Sequence, residues 1–232
     1  MKVADQFRTV SGAFLDVFYP NYCQICTTDL NMNERHVCLS CAYDLPYIGQ
    51  NKKELQKLEK LFWGRVDVRH VYSLLNYQRG NQTQRLLHLL KYKKKKKLGH
   101  YFGEILGEVI NKDDGVQAII PVPLHPKKER LRGFNQSRVI ANGIATKMKI
   151  PVNESSLYRN EHNLSQTKFS KYDRWENVRR IFSVKQKEVL ENKHVLLVDD
   201  VLTTGATIEA CVLELLSIKN CSVSIATLAA RV

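Results

Sequence analysis

Two segments of this sequence combine residue types and spacing that could do chemistry. The first is Val195-Leu-Leu-Val-Asp-Asp-Val-Leu-Thr-Thr-Gly-Ala-Thr207. Its four apolar residues predict a buried parallel strand over 194–198, with Asp199 and Asp200 at the C-terminal end, the edge where open α/β sheets bind ligands. Thr203, Thr204, Gly205, Ala206 and Thr207 then turn into a helix over 208–217, so their backbone N–H groups converge at a helix N-terminus suited to a phosphate dianion. Three threonine hydroxyls add donors, and Gly205 lets the loop curl tightly. An ionised carboxylate only accepts hydrogen bonds, whereas a ribose diol donates two, so an acidic pair beside a phosphate cradle implies a ribose 5-phosphate ester. The plainer alternative is an acidic strand end and a threonine N-cap that serve the helix alone. A P-loop is set aside, because Gly-x-x-x-x-Gly-Lys-Ser/Thr does not occur.

The second segment holds Cys23-Gln-Ile-Cys26 and Cys38-Leu-Ser-Cys41, two C-x-x-C knuckles in a short stretch. Four thiolates from such knuckles can surround one Zn2+ tetrahedrally, and the closed coordination predicts a structural rather than a catalytic site. A single pair would equally suit a thioredoxin-like redox site; two adjacent pairs favour zinc. His36 lies between the knuckles and could stand in for a cysteine ligand, although it reads more plainly as a polar loop residue. Cys211 and Cys221 read as buried helix and loop positions, so no disulfide framework is expected.

The elements that must position these groups form three regions. Residues 1–50 carry an apolar helix candidate (Phe7, Val10, Phe14, Leu15, Phe18) and the four cysteines. Residues 51–69 predict an amphipathic helical connector with Leu55, Leu58, Leu61 and Phe62 on its apolar side. From 70 to 232 strands alternate with helices: strands at 70–77, 117–122, 194–198 and 222–228, a helix with an apolar stripe at Leu98, Phe102, Ile105, Leu106 and Val109, and a helix over 135–149. The stretch from there through Asn177 reads as loop. Such alternation predicts an α/β fold with a mainly parallel sheet covered by helices on both faces.

The whole chain has 232 residues, with 36 Lys and Arg against 23 Asp and Glu and a formal net charge of +13. Hydrophobic residues at 44% and charged residues at 25% exclude a fibrous or wholly disordered chain. The positive charge raises encounter rates with polyanions but needs a second clue before it implies nucleic acid. No apolar run approaches the ~20 residues of a membrane span and no signal peptide is evident, so a cytoplasmic protein is expected. Lys93, Lys94, Lys95, Lys96 and Lys97 are placed within the helix of the apolar stripe, either as a solvated face or as contacts to a phosphate backbone.

An apolar strand, two acidic residues and a Thr-Thr-Gly-x-Thr loop together resemble the fingerprint of the type I phosphoribosyltransferase family. The resemblance implies that Asp199 and Asp200 hold ribose hydroxyls and that Thr203 to Thr207 hold the 5-phosphate of phosphoribosyl pyrophosphate, with Mg2+ on the pyrophosphate. A third segment, Ile119-Ile-Pro-Val-Pro-Leu-His-Pro-Lys-Lys-Glu-Arg-Leu-Arg-Gly-Phe-Asn-Gln136, reads as a proline-stiffened basic loop between strand and helix. At the same sheet edge as the acidic pair, its Lys127, Lys128, Arg130 and Arg132 could clamp a pyrophosphate, or simply form a basic surface loop. The stretch 165–180 reads as a mobile lid, with Gln166, Lys168, Arg174 and Asn177 as its candidate contacts.

The wording of that basic segment, the paired cysteines, the run Leu86-Leu-His-Leu-Leu-Lys-Tyr92, and Gln166 with Arg174, Asn177, Val178 and Phe182 resemble the competence protein ComF family over nearly the whole chain. That resemblance implies a phosphoribosyltransferase domain behind a zinc-binding module. It further implies a role in DNA uptake and natural transformation, handling single-stranded DNA beside a helicase-like partner. The five-lysine run is longer and more charged than the turn usual there. Phe134, Tyr92 or Trp175 are candidate base-stacking residues on this reading. Two other functions fit the same site residues: an active phosphoribosyltransferase in nucleotide metabolism or salvage, and a catalytically silent scaffold that keeps the fold.

Overall fold

The computed structural model describes residues 21–48, 51–110, 112–160 and 181–232. The apolar helix candidate before residue 20, Trp175, and the lid residues Gln166, Lys168, Arg174 and Asn177 lie outside the described residues. The chain divides into two compact units, Met1–Leu45 and Pro46–Val232.

In the first unit, Tyr22 and Asp29 bridge as antiparallel partners, and the Cys23 carbonyl accepts the N–H of Thr27 at 2.9 Å. Thr27 takes a left-handed φ of 69°, which closes the knuckle tightly. The short helix α1, Leu39–Tyr43, begins at Cys38, whose sulfur accepts the N–H of Cys41. Glu34 ties the turn to this helix by accepting the N–H groups of Asn31 at 2.7 Å and Leu39 at 2.6 Å. Those two bonds hold its carboxyl below the usual range.

The second unit is built on a four-stranded parallel sheet in the order β1-β6-β5-β2. These strands are β1 (Val71–Asn76), β2 (Ala118–Pro121), β5 (His194–Leu202) and β6 (Ser222–Ala230). A separate antiparallel pair joins β3 (Leu157–Arg159) to β4 (Phe182–Val184). Val195, Leu196, Leu197 and Val198 are all fully buried, as a central parallel strand covered on both faces requires. Both edges of the sheet are covered by single bridges, Tyr47 to Leu75 beside β1 and Val152 to Ile119 beside β2.

The helices are α2 (Lys52–Lys60), α3 (Gln82–Tyr92), α4 (Lys96–Val109), α5 (Pro126–Arg132), α6 (Gln136–Met148) and α7 (Ala206–Leu216). Helices α4 and α6 cross at glycines, where no side chain fits. A Cβ on Gly103 would stand 2.3 Å from the Ile140 carbonyl oxygen, and one on Gly143 would stand 2.2 Å from that of His100.

Several expectations are corrected. The five-lysine run does not sit inside one helix: Lys93 caps the end of α3, Lys94 has φ 54°, and Lys95 precedes α4. A left-handed residue breaks the helical path there, so only Lys96 and Lys97 are helical. The basic segment is no loop but helix α5, which starts with Pro126 at its first turn and with the His125 ring accepting the Lys127 N–H at 3.1 Å. Strand β5 runs on to Leu202 rather than ending at Val198, because β6 remains its partner to Ala230. Part of the stretch read as loop, Leu157–Arg159, is strand β3.

Candidate functional site

The acidic pair occupies the point where β5 outruns its neighbour. Pairing with β2 ends at Pro121 opposite Val198, whereas pairing with β6 continues past Asp199. The two carboxylates therefore stand at the C-terminal edge of the sheet, clear of the end of β2. Successive side chains of a strand leave on opposite faces, and each acid has its own partner. Asp199 accepts the Ser137 hydroxyl at 2.8 Å and the Asp200 N–H at 2.9 Å. Asp200 pairs with Lys91, Nζ to Oδ2 at 3.1 Å. Burial, reinforced by the Asp200 charge, pushes the Asp199 carboxyl up to about 7.

The threonine loop follows directly. Gly205 takes φ 79° and starts α7 without any side-chain cap, a conformation that excludes most other residues. The N–H groups of Ala206, Thr207 and Ile208 have no partner within the helix. Thr203, Thr204, Ala206 and Thr207 are exposed, while Gly205 is buried. Asp199 and residues Val201 to Ile208 line one small cavity of about 50 Å³. The carboxylate and the phosphate-type loop thus share a space.

The connector residues support this loop, a role the sequence pattern did not reveal. The Phe62 ring lies beneath Gly205, 3.2 Å from the place a Cβ would take. Arg65 donates to the Thr204 carbonyl at 3.3 Å and forms an ion pair with Glu209 in α7. Ser137 was missed as well, although it directly follows the Arg-Gly-Phe-Asn-Gln wording. That wording now has a structural reason. Gly133 ends α5 with φ 81°. Asn135 then donates to the Val122 carbonyl at 2.9 Å and accepts the Ser137 N–H at 3.0 Å. One helix is closed, the next is opened, and Ser137 is delivered to Asp199.

Two basic segments far apart in sequence meet on the surface. The Lys94 side chain lies over Gly133, within 3.6 Å of the place a Cβ would take. Lys96 stands over the Phe134 ring at 5.4 Å, and the Arg132 guanidinium over the Tyr92 ring at 5.9 Å. Lys93 to Lys97, Lys127, Lys128 and Arg130 are exposed, and Arg132 is partly buried, hydrogen-bonded to Gln136 at 2.8 Å. Helix α5 leaves β2 at the sheet edge that carries the acidic pair. Tyr92 is 57% exposed, whereas Phe134 is buried under Lys96 and presents no face for stacking.

In the first unit the sulfurs of Cys23, Cys26, Cys38 and Cys41 all lie within 4.8 Å of one another. That spacing suits four ligands about 2.3 Å from a central zinc ion, so the cluster could hold one. Hydrogen bonding to Thr28 brings the Cys26 thiol down to about 6, towards the thiolate a metal needs. His36 is outside the cluster and its ring meets Gln24 at 3.3 Å. None of the six cysteines is in a disulfide, and Cys211 and Cys221 are buried. Among the described residues no helix is long and apolar enough to cross a membrane.

Comparison with known proteins agrees with this architecture. Residues 135–232 match the phosphoribosyl transferase domain. Competence protein F of Haemophilus influenzae is 36% identical over 93 residues, 40% of this chain and 41% of that protein. DNA utilization protein YhgH of Escherichia coli is 27% identical over 129 residues, 53% of this chain and 56% of that protein. The matched stretches thus span about half the length of these curated relatives. Among solved structures, glutamine phosphoribosylpyrophosphate amidotransferase from B. subtilis aligns with a TM-score of 0.40 and 23% identity over 55% of this chain and 25% of that one. Residues 135–232 are thus similar in sequence to the phosphoribosyl transferase domain and lie within a unit built on a mainly parallel sheet flanked by helices; the chain also holds a four-cysteine cluster and is similar over part of its length to competence protein F.

Proposed function

We propose that this protein binds phosphoribosyl pyrophosphate with Mg2+ and acts, like the competence proteins it resembles, in DNA uptake and natural transformation, handling single-stranded DNA in the cytoplasm. The observation that carries the ligand reading is the shared cavity: Asp199 and the loop Thr203 to Thr207 face one space at the C-terminal edge of a parallel sheet. There Asp199 and Asp200 accept the ribose hydroxyls, and the free N–H groups at the start of α7, with the threonine hydroxyls, hold the 5-phosphate. Lys127, Lys128, Arg130 and Arg132 of α5 take the pyrophosphate, with Gln166, Lys168, Arg174 and Asn177 as its further contacts. Mg2+ supplies neutralisation of pyrophosphate charge and needs few protein ligands. Zn2+ in the cysteine cluster holds the first unit folded.

The DNA reading rests on the names of the relatives, competence and DNA utilization, and on the merged basic surface around Tyr92. A phosphodiester backbone would lie along Lys93 to Lys97 while a base stacks on Tyr92. A helicase-like competence protein would be its working partner.

Calorimetry with Mg2+ tests the ligand reading: phosphoribosyl pyrophosphate binds wild type, and Asp199→Ala/Asp200→Ala lowers affinity by about 100-fold or more. Full affinity in the double variant, or no binding to folded wild type, would refute it. In parallel, labelled single-stranded DNA is titrated across a salt series. Replacing Lys94, Lys95 and Lys97 with Ala should flatten the slope of log K against log salt by about 2; an unchanged slope would remove the lysine turn from the DNA surface.

A further inference from the structure

Lys91 has no part in the binding scheme above. It stands at the penultimate position of α3, and its ammonium meets Asp200 with the two side chains 20% and 11% exposed. Among the described residues it is the one cation in ion-pair contact with either carboxylate. Asp199, by contrast, is held by the neutral hydroxyl of Ser137. The two acids of one ribose site are therefore partnered differently, one by a dipole and the other by a full charge.

That difference bears on which ligand fits. A ribose hydroxyl donating to Asp200 shares a carboxylate whose Oδ2 already pairs with the Lys91 ammonium, and so draws part of its negative charge away from that ion pair. A ligand that offers the diol alone weakens the ion pair and leaves a partly buried ammonium under-compensated, which is costly. A ligand with an anionic group on C1, the carbon next to the C2 hydroxyl, brings a replacement partner for that ammonium. Lysine suits such an exchange, since its charge sits at the end of a flexible four-carbon stem.

We propose that Lys91 is a specificity-determining residue, exchanging Asp200 for the C1 pyrophosphate and so selecting phosphoribosyl pyrophosphate over plain ribose 5-phosphate. The inference rests on the ribose phosphate reading of Asp199, Asp200 and the threonine loop. A purely structural Lys91, tying α3 to β5, would affect both ligands alike.

The test is calorimetry of phosphoribosyl pyrophosphate and of ribose 5-phosphate, each with Mg2+, on the full chain carrying Lys91→Gln or Lys91→Arg, with melting curves to verify folding. Lys91→Gln should weaken phosphoribosyl pyrophosphate by about 10- to 150-fold, the worth of a charge-assisted hydrogen bond. Ribose 5-phosphate should bind it as well as it binds wild type, or better. Lys91→Arg should keep the wild-type preference, and Lys91→Met takes the place of Lys91→Gln if the latter does not fold. An equal change for both ligands in the uncharged variant, or none for either, overturns the proposal while leaving the ribose phosphate site standing. Wild type that binds neither ligand removes that site and Lys91's role together.

Discussion

The two ends of strand β5 solve opposite problems. At its start, His194 is buried with every polar group satisfied: Nδ1 meets the Asp114 carbonyl at 2.7 Å, Nε2 meets the Ser224 hydroxyl at 2.9 Å, and the backbone N–H reaches Gln117 at 3.0 Å. Close by, the Tyr72 hydroxyl donates to the Asp114 carboxylate. At its far end, two carboxylates sit side by side, one pushed up to about 7 by burial and by its neighbour. A polar network with all its bonds made fixes a structure, whereas adjacent acids with spare acceptor capacity are costly unless a ligand supplies donors. The strand is anchored at the end where its hydrogen bonds are complete, and the proposed ligand site lies at the end where they are not.

The largest effect should come from breaking the anchored end. His194→Ala leaves the Ser224 hydroxyl and the Asp114 carbonyl short of a partner and opens a cavity, so stability should fall by about 2–4 kcal/mol. Denaturant melts measure that loss, and calorimetry should find the affinity for phosphoribosyl pyrophosphate per folded molecule unchanged. A variant as stable as wild type would show that the network is not an anchor. Gly205→Ala attacks the binding end instead. A side chain there meets both φ 79° and the Phe62 ring, costing about 1–2 kcal/mol. The loss of ligand affinity should exceed the loss of stability, because the phosphate loop must move; intact affinity would place the phosphate elsewhere.

The end proposed to bind ligand is the more legible of the two in the sequence. Strand, acids and threonine loop are contiguous between Val195 and Thr207, so local pattern sufficed, and the same holds for the cysteine knuckles. What stayed hidden depends on contacts between distant segments. Ser137 reaches Asp199 only because α6 packs beside β5, Lys91 reaches Asp200 from the end of α3, and Phe62 and Arg65 reach the loop from a stretch that reads as a connector. The lysine run was misplaced for a local reason: nothing in five identical side chains marks Lys94 as the left-handed residue that parts α3 from α4. The basic segment passed for a loop because its three prolines end at Pro126, where proline is equally at home in the first turn of a helix.

Thermal melting of wild type and Asp199→Asn, each with and without phosphoribosyl pyrophosphate and Mg2+, tests the contrast most directly. Because the Asp199 pKa in the folded protein lies above its ordinary 3.8, at about 7, its ionisation opposes folding. The penalty is absent below about pH 4, grows between the two values and is complete above about pH 7. Asparagine keeps an oxygen to accept from Ser137 and Asp200 but carries no charge. At pH 8 without ligand, Asp199→Asn should therefore melt higher, by about 2–4 °C for each kcal/mol of penalty removed, with the gain vanishing near pH 4. The rise in melting temperature that ligand gives wild type should be lost in the variant. A variant that melts lower at pH 8 and is still stabilised by ligand would mean that Asp199 holds the fold together and does not hold the ribose.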